Sequence, residues 1–402
     1  MSVLSGKKIV LGISGGIAAY KTATLVRLFI KAGAQVQVIM TPASKDFVTP
    51  LTLSTLSKNP VHSSFYNEED DNAQWNSHVD LGLWADLMVI APATANTLSK
   101  MVNGNCDNLL IATYLSAKCP VYFAPAMDLD MYKHPSTIAS FGALTAFGNT
   151  MIPAENGELA SGLSGEGRMA EPENILTFLE ADLESKLPLK GKKILITAGP
   201  TYEAIDPVRF IGNHSSGKMG FDIAKRAANL GAEVILVSGP THFKVEHSNI
   251  KVIPVTSAQQ MYDACHVYFD EVDAVIAAAA VADYRPKYVA QQKIKKAGEN
   301  FTIELEKTKD ILESLGKIKK KQFLIGFALE TENEIENAKL KIQKKNLDLI
   351  VLNSLQDEGA GFGKPTNKVT FIDHFYSIER MSLKSKEAVA EDIVNKIIAH
   401  YE

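Results

Sequence analysis

Two glycine-rich turns in this chain have the composition of anion sites. The first, Ser14-Gly15-Gly16-Ile17-Ala18-Ala19-Tyr20-Lys21, follows an apolar run and leads into a helical pattern, so its free backbone N–H groups would face a negative ligand. A turn of this kind also occurs with no ligand. It is not Gly-x-Gly-x-x-Gly, and the next apolar run ends in Met40-Thr41-Pro42, where a dinucleotide site would place Asp or Glu. A mononucleotide fits better than NAD. The second turn, Gly212-Asn213-His214-Ser215-Ser216-Gly217-Lys218, satisfies G-x-x-x-x-G-K, but Met219 stands where a P-loop holds magnesium through Ser or Thr. A P-loop-like kinase is therefore the second reading, and an anion cradle is common to both.

Other clusters follow each turn. Ala91-Pro92-Ala93-Thr94-Ala95-Asn96-Thr97 ends an apolar run in small and hydroxyl residues that let a ring or phosphate approach the backbone. Pro125-Ala126-Met127-Asp128-Leu129-Asp130-Met131-Tyr132 sets two carboxylates beside two thioethers, a weak metal set that identifies no protein ligand for a metal. His78 opens a helix-like stretch, where a lone histidine is ordinarily structural. Further on, Ala277 to Asp283 ends a run in small residues and one carboxylate, followed by Lys293-Ile294-Lys295-Lys296, Lys307-Thr308-Lys309-Asp310-Ile311 and Gly326-Phe327-Ala328-Leu329-Glu330-Thr331. Lys341 and Lys345 share a helix face. Singly, each lysine reads as a solvated charge; together, on one sheet edge, they describe a polyanion site.

The elements that position these residues are announced by an internal echo. Gly6-Lys7-Lys8-Ile9-Val10-Leu11 returns as Gly191-Lys192-Lys193-Ile194-Leu195-Ile196, and each is followed by a helical pattern and a similar second run, at Gly33-Ala34 and Gly231-Ala232. Gly-bounded apolar runs alternating with helical segments predict two doubly wound, Rossmann-like α/β domains with parallel sheets, spanning 1–185 and 186–402. The boundary falls in Ala181 to Lys190, where periodicity weakens around Pro188. Gly191 and Gly231 lie 40 positions apart against 27 for Gly6 and Gly33, so the second half carries an inserted loop near Thr201 to Ser216. That loop lies outside the carboxyl end of a strand, where such sheets bind ligands. The run Ala274 to Ala282 reads as one buried strand, too short to span a bilayer.

Composition narrows the class. With 402 residues, 46% of them hydrophobic, the chain can bury a core in each half. Its net charge of −4 offers no field for nucleic acid or an anionic membrane. Three cysteines without a C-x-x-C pair fit a reducing cytoplasm, and the start lacks the apolar stretch of a signal peptide, so no export is expected.

The order Ser-Gly-Gly-Ile-Ala-Ala-Tyr-Lys, His78-Val79-Asp80, Ala-Pro-Ala-Thr-Ala-Asn-Thr and Pro-Ala-Met resembles the flavin-dependent cysteine decarboxylases. Within them it is most similar to the bifunctional phosphopantothenoylcysteine decarboxylase/phosphopantothenate–cysteine ligase family of coenzyme A biosynthesis. The resemblance implies a flavodoxin-like flavoprotein domain with FMN held by Ser14, Gly15, Gly16, Thr41, Ser44, Thr94, Ala95, Asn96 and Thr97, and His78 as catalytic histidine. It implies oxidation of the cysteinyl thiol by FMN, loss of carbon dioxide from a thioaldehyde, which can accept the electron pair, and return of hydride to the enethiol. Asp128 and Ser161 take catalytic places where the family pattern has Asn and Cys.

The second half resembles the ligase of the same family through Asp-Pro-Val-Arg, Asn-His-Ser-Ser-Gly-Lys-Met-Gly, Ala-Val-Ala-Asp-Tyr-Arg, Lys-Ile-Lys-Lys and Lys-Asn-Leu-Asp-Leu-Ile. This implies activation of 4′-phosphopantothenate by CTP with Mg2+ to an acyl-cytidylate, then capture by cysteine. Lys293 would serve activation and Asn213 turnover of the intermediate. Arg209, Ser215, Ser216, Gly217, Lys218, Ala279, Asp283, Lys309, Asp310, Ile311, Phe327, Lys341 and Lys345 would bind substrate and nucleotide. Lys309 stands where proline is expected and Leu329 where alanine is. The family implies a large homo-oligomer with flavin sites shared between subunits. A flavin-binding regulatory subunit with a degenerate first half is the rival from another class.

Overall fold

The computed structural model describes residues 2–66, 75–295, 301–330, 332–354 and 364–402. Lys296 and Thr331, named above, lie outside the described residues. The chain forms two compact units, Met1–Ser185 and Lys186–Glu402.

In the first unit β1 (Lys8–Ile13), β2 (Gln35–Met40), β3 (Val61–His62), β4 (Leu87–Ala93), β5 (Val121–Pro125) and β6 (Thr150–Met151) pair in parallel in the order β3-β2-β1-β4-β5-β6. Alternation along β1 divides the core. Ile9, Leu11 and Ile13 pack with Leu25, Val26 and Phe29 of the helix Thr22–Lys31, whereas Val10 joins Leu98, Met101 and Leu110 on the opposite face. Both faces are dry, which is why the strands read as unbroken apolar runs. Each fully buried Leu, Ile or Phe contributes about 1.5–3 kcal/mol. The strand order reverses beside β1, between β1 and β4, and the loops leaving their carboxyl ends meet there. A twisted ribbon of β7 (Glu155–Glu158) and β8 (Ser164–Arg168) follows the sheet.

The second unit repeats the plan with additions. β9 (Lys193–Ala198), β12 (Glu233–Ser238), β13 (Ile250–Pro254), β14 (Ala274–Ala277), β17 (Phe323–Glu330) and β18 (Leu349–Ser354) are parallel, and β20 (Val369–Asp373) and β21 (Ile378–Arg380) extend the edge antiparallel. The order is β13-β12-β9-β14-β17-β18-β20-β21, so the wholly parallel sheet expected from the sequence acquires an antiparallel edge. The inserted loop folds as a hairpin, β10 (Tyr202–Ala204) with β11 (Phe210–Gly212). Two further ribbons are β15 (Tyr284–Pro286) with β16 (Leu305–Lys307), and β19 (Thr366–Asn367) with β22 (Lys384–Ser385). Two sequence expectations are corrected. The run Ala274 to Ala282 leaves the ladder after Ala277, and the segment Ala181 to Ser185 belongs to the helix Pro172–Ser185.

Candidate active sites

The first unit has a cavity of about 900 Å³ at the carboxyl ends of its strands. Gly15 and Gly16, Thr41 to Ala43 and Thr94 to Thr97 form one wall, and Met127, Asp128, Ser161 and Arg168 another. The glycine turn is close because it must be: a Cβ on Gly15 would lie 2.7 Å from that of Ala43 and one on Gly16 3.2 Å from Thr94 Cγ2. The turn enters a 3-10 segment, Ile17–Lys21, before the α-helix. Ser14 and Ser44, expected to touch the cofactor, face inward instead. Ser14 Oγ donates to Pro92 O (2.6 Å) and accepts from Thr94 N (3.1 Å), tying β1 to β4, and Ser44 Oγ donates to Thr41 O (2.7 Å). Thr41 Oγ1, by contrast, is buried with no partner among the described residues, on a wall of the cavity. A buried hydroxyl in that condition fits a missing polar ligand. The size, the small-residue cradle and this hydroxyl together fit a flavin mononucleotide.

Asp128 caps the helix Leu129–Lys133, its Oδ1 accepting from Leu129 N at 2.6 Å, and it lines the cavity. Ser161 sits at the exposed tip of the β7–β8 ribbon and also lines the cavity. Tyr132 packs on Phe141 (centroids 5.2 Å apart) and is not among the lining residues. Burial and the Glu166 charge push its phenol above the usual range. His78 is not among them either. It opens the helix His78–Trp84 edge-on to Phe65, with Nδ1 buried and without a partner among the described residues. Sequence reasoning missed the brace under this cavity. Lys21, nearly buried, donates to Met169 O (3.0 Å) and to Glu171 (2.9 Å), which also holds Arg168.

The second unit has a cavity of about 580 Å³ beyond the ends of β9, β14 and β17, next to the β9–β14 reversal. Ala279, Asp283, Lys309, Asp310, Ile311, Phe327 and Lys345 all line it. Lys345 is paired with Asp310 at 2.8 Å, whereas Lys309 has no acidic partner among the described residues and stands 4.7 Å over the Tyr262 ring. Lys341 is directed away, to Glu330 at 2.5 Å, and does not line the cavity.

The loop Asn213 to Lys218 is also apart from the cavity lining. Three of its amides are met internally: Asn213 Oδ1 accepts from Ser215 N (3.2 Å), Ser215 Oγ from Gly217 N (3.3 Å) and Ser216 Oγ from Lys218 N (3.4 Å). Gly217 takes φ +86° at the head of the helix Lys218–Asn229, a conformation that suits glycine. Lys218 pairs with Asp222 (2.7 Å) and Glu387, whose charges raise its ammonium above the usual lysine range against the effect of burial. Lys293 is exposed, outside the cavity lining. Arg209 reaches its segment, donating to Ile294 O at 2.6 Å.

Among the described residues no cluster of three or more acidic, histidine or cysteine side chains could hold a metal, and no helix is long and apolar enough to cross a membrane. Residues 2–184 match the flavoprotein family model and residues 189–401 that of the DNA/pantothenate metabolism flavoprotein C-terminal domain. The chain is 44% identical to a coenzyme A biosynthesis bifunctional protein CoaBC of Bacillus subtilis (strain 168), over 99% of this chain and 98% of the other. It is 53% identical to a cysteine/cysteine sulfinic acid decarboxylase of an unknown prokaryotic organism, over 87% of this chain and 99% of that one. The solved C-terminal domain of a coenzyme A biosynthesis bifunctional protein CoaBC is 46% identical, covering 54% of this chain and 98% of that chain at a TM-score of 0.46.

Proposed function

This chain belongs to the family of bifunctional coenzyme A biosynthesis proteins, and from that membership we propose how its residues divide the work. It is a phosphopantothenate–cysteine ligase and a phosphopantothenoylcysteine decarboxylase, the latter in a flavoprotein domain. The observation that carries the assignment of residues is the chemistry of the two cavities: one a small-residue cradle with an unmet hydroxyl, the other a strand end ringed by lysines.

In the first unit Gly15, Gly16, Thr41 and Thr94 to Thr97 hold FMN, with Ser14 and Ser44 stiffening the cradle. When bound, FMN supplies the two-electron acceptor for thiol oxidation. Asp128, at the cap of its helix and in the cavity lining, meets the substrate carboxylate region. Ser161 lies over the substrate from the ribbon tip. His78 serves as acid–base group from a second copy of the chain, since it lies outside the lining of its own cavity. A homo-oligomer with shared flavin sites follows from that reading, and exposed Ile17 and Tyr20 beside the cradle support it.

In the second unit Phe327, Ala279 and Asp283 receive the nucleoside, and Lys309 and Lys345 its phosphates, while magnesium arrives with CTP. The substrate carboxylate attacks the α-phosphorus and pyrophosphate leaves. Two anions approach each other, so cations must offset their repulsion and the charge on the leaving group. Lys293 does this in the activation step. The cysteine amine then attacks the acyl carbon and CMP leaves, with Asn213 near the developing charge. The reaction occurs in the cytoplasm, where Cys106, Cys119 and Cys265 remain thiols.

The test is direct. Purified protein given 4′-phosphopantothenate, cysteine and CTP releases pyrophosphate and CMP, carries a yellow flavin, and yields carbon dioxide from phosphopantothenoylcysteine. Use of ATP with a phosphorylated product would favour the kinase, and flavin binding without carbon dioxide would favour a regulatory first half. A second reading concerns the first unit's substrate range. The 53% identical relative is named for cysteine and cysteine sulfinic acid, and Asp128 and Ser161 depart from the phosphopantothenoylcysteine pattern. Carbon dioxide from either free amino acid at rates near that of phosphopantothenoylcysteine would establish it.

A further inference from the structure

Asp206 is the least expected carboxylate in the second unit. It opens Asp-Pro-Val-Arg in the inserted hairpin, and its side chain is wholly enclosed. Its two oxygens do different work. Oδ1 closes its own turn, accepting from Val208 N and Arg209 N, both at 2.8 Å. Oδ2 reaches 88 positions along the chain to accept from Ile294 N at 3.1 Å, with Arg209 Nε beside it at 3.3 Å. Arg209 completes the grip by donating to Ile294 O, and Ala290 N donates to Ile205 O at 3.0 Å. Both backbone polar groups of Ile294 are therefore held. Burial opposes ionisation of Asp206, but the backbone N–H groups of Val208, Ile294 and Arg209 and the guanidinium outweigh it and hold the carboxyl below the usual aspartate range.

Lys293 and Lys295 flank the clamped residue. Lys293 is exposed, and its ammonium has no ion-pair partner among the described residues, so the anchoring of the neighbouring peptide is what restricts its reach. We propose that Asp206, with Arg209, is a positioning residue for the activation step, fixing the peptide next to Lys293 so that only side-chain freedom remains to be lost when the ammonium meets the nucleotide phosphates. This rests on the assignment of Lys293 to activation. A long lysine on a free loop would have to be ordered at each turnover, and preorganisation removes that cost from the transition state.

Asp206→Asn isolates the role. The amide oxygen can keep the Val208 and Arg209 bonds, but its NH2 meets the Ile294 N–H and Arg209 Nε donor to donor. Pyrophosphate release from CTP and 4′-phosphopantothenate is expected to lose about ten-fold or more in kcat, with KM for CTP changed by less than about three-fold. In a Lys293→Ala background the same change should cost less than about two-fold, because the group it positions is gone. An equal loss in both backgrounds would overturn the proposal while leaving Lys293 in place. An unimpaired Lys293→Ala single variant would instead sink the assignment beneath it. If Asp206→Asn fails to fold, amide hydrogen exchange in the parent chain decides: the Ile294 N–H should exchange far more slowly than a free loop amide, and exchange at the loop rate would refute the clamp.

Discussion

Ser161 stands where the family's cysteine acid is expected, on an exposed ribbon tip that lines the flavin cavity. A serine hydroxyl does not ionise near neutral pH, whereas a thiol loses its proton at about 8.5, so serine is the poorer donor to the substrate carbon. Tyr132 packs on Phe141 and is not among the residues that line the cavity. The expected outcome is that this chain still releases saturated 4′-phosphopantetheine and that Ser161→Cys speeds the final protonation about ten-fold or more, against the 10²–10⁴ that a placed acid contributes. Product mass under single turnover checks both points. A product two hydrogens lighter from the parent chain would show that no acid has taken the place of the cysteine.

The elements explain which of these residues could be read in advance. The repeated Gly-Lys-Lys followed by alternating aliphatics places β1 and β9 and their neighbours, because a strand buried on both faces has few alternatives. The nine-residue run from Ala274 reads as one strand yet leaves the ladder after Ala277, for a physical reason. After Ala277 the amides turn to side-chain and loop acceptors, Ala279 N to Thr197 Oγ1 at 3.1 Å and Ala282 N to Thr201 Oγ1 at 3.0 Å, and an apolar pattern does not record which acceptor an amide finds. Charges were harder still. Lys218 is claimed by Glu387 and Lys21 by Glu171, partners 169 and 150 positions away, so spacing along the sequence could not show that these lysines were taken. The brace of Lys21, Glu171 and Arg168 fastens the end of β8 to the cavity and gives a prediction at this scale. Burial opposes ionisation of Glu171, but Lys21 and then Arg168 outweigh it and lower its pKa. A lowered carboxylate contributes stability that is complete above the ordinary glutamate value of about 4.3 and is lost as pH falls through the folded value. Glu171→Gln should therefore destabilise the first unit by about 1–2 kcal/mol at pH 7, less than a fully buried pair because Glu171 is partly exposed. Denaturant titrations should show that gap narrowing below about pH 4; a constant gap down to pH 3 would assign the effect to packing alone.

At the scale of the whole molecule, His78 and the flavin cradle belong to one unit but not to one cavity lining. On the proposed reading His78 acts at the flavin of a second copy, and a closed ring would place each histidine at a neighbour's site. Complementation separates this from a structural histidine. His78→Asn leaves the cradle intact, and Gly15→Val closes it, since a Cβ there already lies 2.7 Å from Ala43. Each variant alone should lose decarboxylation while keeping CTP-dependent ligation. Coexpressed in equal amounts with different tags and purified through both, the pair should recover from about a half of the parental decarboxylase activity in a dimer to about a quarter in a large ring, because a site works only when an intact cradle meets an intact histidine from its neighbour. Recovery requires that the two groups come from different chains. Mixed oligomers with no activity, together with a His78→Asn variant that still binds flavin, would place the histidine's work within its own chain and require the helix His78–Trp84 to move toward the cavity.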